Sequence, residues 1–250
     1  MRLHGSVALP LSGAGKTLRR GTRVNDLAGS WRVKVGADEE TSVVFEPALA
    51  HPTGALFICA HGAGGHINDQ RALATSEQLR RRGLQVVRFN FLYREKKSSA
   101  PDPIPRLKQC YVAVAEHVRR IVKPQMLILG GRSMGGRVAS MLAADSYPCD
   151  GLLLLAYPLH PAGRPEKLRD AHLEQIQVPV LCFNGTRDAL CQRDLMDQAI
   201  GRLSDRWTMH WLEGADHSFH VLKSSGRTDE DVLAEVGEAC RAWVGRAVGS

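Results

Sequence analysis

Apolar residues along the chain fall into short continuous runs separated by stretches with a period near 3.6. Residues 31–35 and 41–46 alternate apolar and polar positions around Gly36-Ala37-Asp38 and predict an antiparallel pair. The run ALFICA, residues 55–60, is apolar throughout, as in a strand covered on both faces. A regular alternation follows. Residues 70–82 read as a helix stopped by Gly83, and residues 84–89 as a strand. Residues 105–122 place Tyr111, Val114, Ala115, Val118, Ile121 and Val122 on one helical face. QMLILG, residues 125–130, predicts a strand, and a helix follows through Val138, Ala139, Met141 and Leu142. Three further strands are expected over residues 151–155, 178–183 and 207–211. Between them the pattern suggests a short helix near 166–175 and a longer one near 193–203. A final helix begins at about Asp229, with Thr228 and Asp231 as a capping box and Val232, Leu233, Val236, Cys240, Trp243 and Val244 as its stripe.

Strands alternating with amphipathic helices predict an α/β fold: a mostly parallel central sheet, helices on both faces, and the antiparallel pair at one edge. Such sheets bind ligands beyond the carboxyl ends of their strands, so residues just after each strand carry the functional interest. The first thirty residues are rich in Gly, Ser and Arg and lack periodicity. They read as a flexible arm, leaving residues 31–250 as a single domain.

Composition narrows the function classes. Charged residues are 24% of the chain, and 33 basic against 26 acidic residues give +7. Arg80-Arg81-Arg82 closes a predicted helix, where cations complement the dipole. Aromatic residues are only 6% of the chain and do not interleave with a basic stripe, so no nucleic-acid partner is expected. The six cysteines form no CxxC pair, and Cys59 and Cys182 sit inside apolar runs, which fits buried free thiols in a reducing compartment. No sustained apolar segment serves as a signal peptide or membrane span, so the expected location is the cytoplasm.

The motif Gly131-Arg132-Ser133-Met134-Gly135 follows a predicted strand and precedes a helix, the setting that G-x-S-x-G requires. Small residues two positions either side let the chain turn tightly enough to project Ser133 from the sheet edge. A serine hydroxyl is a weak nucleophile without a base. His217, after the last predicted strand, is the candidate base; His220, nearer the next helix, is its rival. Asp188 follows residues 178–183 and completes the order Ser, acid, His. Asp194, Asp197 and Asp216 fit that role less well by position. His61-Gly62-Ala63-Gly64-Gly65 follows ALFICA, and the N–H groups of Ala63 and Met134 are the candidate oxyanion hole. A plain glycine-rich turn remains the alternative. Three other signals carry little weight. Gly13-Ala14-Gly15-Lys16-Thr17 lacks the first glycine and the strand of a phosphate loop. The histidines 61, 66, 217 and 220 lack metal-ligand spacing, and Cys59 lies mid-strand.

Around Gly131 to Gly135 the chain resembles the α/β-hydrolases. More narrowly, it is similar to the dienelactone-hydrolase-like hydrolases related to testis-expressed protein 30 and to a subunit of the NSL acetyltransferase assembly. Phe89-Asn90-Phe91 with Tyr93, the segments 157–161 and 184–188, and Gly214 to His217 extend the likeness over residues 31–246. Leu92 and Lys96-Lys97 depart from it, in one loop. The resemblance implies a hydrolase fold. With the motifs, it leads to an expected serine hydrolase acting on small esters or thioesters through an acyl-enzyme, without a cofactor or metal. A non-catalytic interaction protein and a serine peptidase are the alternatives. About twenty residues between two strands are too few for a large lid, so an open, shallow site is expected, and Arg132, Arg187 and His160 suggest an anionic substrate. The oligomeric state stays open.

Overall fold

In a computed structural model that describes residues 24–203 and 205–248, the alternating elements form one eight-stranded sheet. The expected arm up to residue 23, including Gly13 to Thr17, lies outside the described residues. Val24–Leu27 makes a single 3-10 turn before the edge strand. The strands are β1 (Gly29–Lys34), β2 (Glu40–Glu46), β3 (Ala55–Ala60), β4 (Gln85–Phe89), β5 (Met126–Arg132), β6 (Gly151–Leu155), β7 (Val180–Gly185) and β8 (Trp207–Leu212), in the order β1-β2-β4-β3-β5-β6-β7-β8. Only the β1–β2 and β2–β4 pairs are antiparallel. The remaining strands run parallel, as crossover helices require.

Alternation along each strand feeds two cores. Leu56, Ile58 and Ala60 of β3 join Tyr111 and Val114 of α3 (Ile104–Val122) and Val138 of α4 (Met134–Ala144). Ala55, Phe57 and Cys59 point the other way, to Leu79 of α1 (Gln70–Arg81) and to Val236 and Cys240 of α6 (Asp229–Val248). Met196 and Ala199 of α5 (Arg193–Ile200) complete the first face. Because both faces are covered, central strands such as β3 and β6 are buried at every position, and this is why they read as unbroken apolar runs.

Helix ends follow local chemistry. Asp69 caps α1 by accepting from the N–H groups of Arg71 and Ala72. Thr228 and Asp231 form the reciprocal capping bonds of α6: Thr228 N–H donates to the Asp231 carboxylate at 2.8 Å, and Asp231 N–H to the threonine hydroxyl at 3.1 Å.

Two expectations need correction. The short helix over 166–175 is absent; the segment holds only a 3-10 turn, Leu173–Gln175. Just before and within this segment, N–H groups bond three residues back, Arg164 to Pro161 and Lys167 to Arg164, while Arg169 N–H is drawn away to the carbonyl of Leu159. A helical ladder cannot propagate once its donors are so committed. Second, β5 and β7 run two residues beyond the expected 130 and 183, because Gly131 pairs with Ala60, Arg132 with Leu155 and Gly185 with Leu212. A backbone ladder needs no side chain, and apolar patterning cannot register that. The one-turn helix α2 (Leu92–Glu95) was too short for periodicity to reveal.

Candidate active site

Ser133 occupies the single position between β5 and α4, with φ 50° and ψ −116°, a conformation that costs a non-glycine residue about 1–3 kcal/mol. Packing holds it there. Its N–H donates to Leu155 O at 2.8 Å, and its carbonyl accepts from Arg137 N–H at 3.0 Å. The flanking glycines are required by space: a Cβ on Gly131 or Gly135 would lie 2.2 or 2.4 Å from the same carbonyl oxygen, that of Ala60. The elbow therefore rests directly on the end of β3, with Ser133 at the carboxyl edge of the sheet and at a helix N-terminus.

The fold brings Ser133, His217 and Asp188 together although 84 residues separate the first two. His217 Nε2 lies 3.0 Å from Ser133 Oγ. Its Nδ1 lies 2.8 and 3.0 Å from the two oxygens of Asp188. The Asp188 side chain is wholly buried, and its oxygens also accept from Leu190 N–H at 2.8 Å and from Asn184 Nδ2 at 3.0 Å. With Nδ1–H directed at a carboxylate, the other ring nitrogen is left as an acceptor facing the serine. Asn184 belongs to the 184–188 segment that carries Asp188, but its role as a brace is visible only in space. It is fully buried at the end of β7, ties the Tyr157 backbone to Asp188, and its signal was a polar residue inside the apolar run VLCFNG.

The loop carrying His217 is held from three sides. Asp216 turns away from the imidazole and accepts from the N–H groups of Ser218 and His220 at 2.7 and 3.0 Å. Arg132 donates to the carbonyl of His217 and stacks 4.9 Å above the Phe219 ring. Arg71, on α1, donates to Ser218 O at 2.8 Å. The rival His220 pairs with Asp229, and Asp197 on α5 meets Arg193 and Trp211. His160 is buried between Gln192 N–H and the Pro161 carbonyl, and Arg187 holds Gly214 O, so of the three residues expected to favour an anionic substrate only Arg132 reaches the cleft.

On the opposite side of Ser133, His61 sets the glycine loop. Its Nδ1 lies 2.7 Å from Gly62 O and its Nε2 accepts from Phe91 N–H at 3.1 Å. Gly65 N–H also donates to Gly62 O, at 3.1 Å. Because C=O and N–H of a trans peptide point oppositely, this turns the Ala63 N–H away from His61. Gly62 packs against Ser133, with 3.4 Å left for a Cβ before the serine Cβ. Met134 is the first residue of α4, so its N–H has no intrahelical partner. Burial pushes the His61 imidazole down to about 4 from an ordinary 6.5, so it is neutral at pH 7. The unfolded chain binds the extra proton between those values, so stability must fall as pH drops from 6.5 toward 4, by about 3 kcal/mol for this group. His61→Gln is expected to flatten the dependence of urea-unfolding free energy on pH across that window; an unchanged slope would remove the account.

Ser133, His217, His61 and Ala63 share a cleft of about 620 Å³, walled also by Arg71, Arg88, Leu155 and Leu190; Met134 and Asp188 are not among its lining residues. Cys59 touches it but is 8% exposed, and burial pushes its thiol up to about 12, which leaves no thiolate for attack. Among the described residues no three His, Cys, Asp or Glu side chains gather as a metal site, and no helix is long and apolar enough to cross a membrane.

Solved structures share this architecture. A lidless α/β serine hydrolase from Xanthomonas campestris is 22% identical, with a TM-score of 0.69 over 86% of this chain and 94% of its own. Est1E from Butyrivibrio proteoclasticus, solved with ferulic acid bound, is 14% identical, with a TM-score of 0.70 over 88% of this chain and all (100%) of its own. Dienelactone hydrolase from Anabaena variabilis is 19% identical, with a TM-score of 0.66 over 87% and 96%. The sequence profile of the alpha/beta hydrolase domain matches residues 53–245, and with a serine elbow at the sheet edge the chain belongs to that family.

Proposed function

We propose that this protein is a serine hydrolase of small carboxylic esters or thioesters, carried by one domain beginning near residue 31. Ser133 Oγ attacks the substrate carbonyl carbon while His217 Nε2 takes its proton, and Asp188 holds the resulting imidazolium without accepting that proton. The carbonyl oxygen becomes an oxyanion stabilised by the N–H groups of Ala63 and Met134. The carbon–oxygen or carbon–sulfur bond to the leaving group breaks, His217 protonates that group, and the acyl chain remains on Ser133. Water then attacks the acyl-enzyme by the same route, giving the acid and free serine. One observation carries this reading: the unbroken chain of bonds from Ser133 Oγ through His217 to a buried carboxylate. The shared fold with esterases and the resemblance to relatives of testis-expressed protein 30 are consistent with it.

A fluorophosphonate probe tests it directly. The wild type is expected to be tagged on Ser133, and Ser133→Ala to lose both the tag and about 10⁶ in kcat. A folded wild type that neither labels nor hydrolyses any ester would instead make the chain a non-catalytic interaction protein. Parallel assays on anilides and esters separate a peptidase from an esterase.

A further inference from the structure

The cleft around Ser133 is walled by three guanidinium groups, Arg71, Arg88 and Arg132, against one carboxylate, Asp69. Two of these four charges are already engaged. Arg88 donates to Glu46 at 2.9 Å and to the carbonyl of Ile67. Asp69 spends Oδ1 on the first turn of α1, accepting from Arg71 and Ala72 N–H at 3.0 and 3.2 Å.

Arg71 and Arg132 are different. Among the described residues neither has a carboxylate within ion-pair distance, and each makes one side-chain hydrogen bond, to a backbone carbonyl of the His217 loop. Neither guanidinium has an unbonded nitrogen sealed from solvent, and both residues line the cleft. Burial and the neighbouring Arg71 charge hold the Arg132 guanidinium below its ordinary range. Desolvating a cation beside another cation is costly unless an anion arrives. Holding a backbone carbonyl does not require charge, since a neutral amide would serve. Arg71 is exposed and solvated, Arg132 only partly so, and Asp69, the one carboxylate lining the cleft, offsets part of the Arg132 charge, which leaves the cleft net positive and open to a further anion. A guanidinium fork suits the paired oxygens of a carboxylate or phosphate.

We propose that Arg71 and Arg132 form an anion-binding subsite, so that the substrate is an ester or thioester bearing a carboxylate or phosphate near its scissile carbonyl. This rests on Ser133 acting as the nucleophile.

Matched esters test it in the wild type. Phenyl hydrogen succinate against phenyl butyrate places the anion on the acyl side. The pair 4-acetoxybenzoate and methyl 4-acetoxybenzoate places a carboxylate in the leaving group, and 4-acetoxyphenyl phosphate against phenyl acetate places a phosphate there. At least one anionic partner is expected to be favoured about tenfold in kcat/KM, mainly through KM, and the preference to shrink in about 0.5 M salt. In Arg71→Gln and Arg132→Gln the anionic-to-neutral ratio, read within each variant, should fall toward one, while the lysine variants keep most of it. Neutral esters taken equally well or better in every wild-type pair would overturn the subsite, as would a ratio unmoved in both glutamine variants. Phosphonate labelling of Ser133 keeps the two readings apart: it survives if only the subsite is wrong. Calorimetry of succinate and inorganic phosphate on Ser133→Ala reads the subsite without turnover. Binding that Arg71→Gln weakens supports it, and no binding of either ion counts against it.

Discussion

Asp188→Asn is expected to lower kcat about ten-thousandfold while ester binding changes little, by analogy with the same exchange in serine proteases. The two side chains have nearly the same size, so the loss comes from proton placement. In the native site the carboxylate accepts from His217 Nδ1, from Asn184 Nδ2 at 3.0 Å and from Leu190 N–H at 2.8 Å, all as donors. An amide has a single acceptor oxygen. If its NH2 group faces the ring, it donates to Nδ1 and forces the histidine proton onto Nε2. That proton then points at Ser133 Oγ, and the base can no longer accept. If the oxygen faces the ring instead, the NH2 meets Asn184 or Leu190, donor against donor in a buried place, at a cost of about 1–3 kcal/mol. Steady-state hydrolysis and the rate of phosphonate labelling read the effect together. A loss smaller than about tenfold would mean that Asp188 does not orient the imidazole.

A large effect on stability is expected at Gly135. A methyl group there would stand 2.4 Å from Ala60 O, 2.6 Å from Ala60 C and 2.7 Å from His61 O. All three are backbone atoms, so no side chain can swing aside. Either α4 lifts from the sheet or the end of β3 moves, and with it His61 and the glycine loop. Gly135→Ala should cost about 3 kcal/mol or more, seen as a melting temperature lower by roughly 10 °C, and should abolish labelling of Ser133. Gly64→Ala is the matched control. Nothing lies within 4 Å of its added Cβ, and only its φ of +76° opposes the change, for about 1 kcal/mol. If both variants melt near the wild type, the contact between elbow and β3 is not close.

Much of this arrangement was legible in the chain, because its signals are local. Strands such as ALFICA and GLLLL announce themselves by being apolar at every position, which only a doubly covered sheet allows. Ser133 is marked by two glycines whose absence of side chains answers contacts with one carbonyl. The order of Asp188 and His217 after successive strands marks both, and parallel strands deliver those loops to the same edge of the sheet.

What the sequence determined by itself, then, is the set of elements and the short list of reacting side chains, since both follow from periodicities and turn chemistry within a few residues. Only the tertiary structure decided what those side chains touch. Arg71 and Arg132 gripping the His217 loop, His61 fixing the Gly62 carbonyl, Asn184 bracing Asp188, and the failure of 166–175 to become helical all depend on partners elsewhere in space. The free energy of a buried hydrogen bond or an unpaired charge depends on which groups surround it, and a linear pattern carries no record of those neighbours.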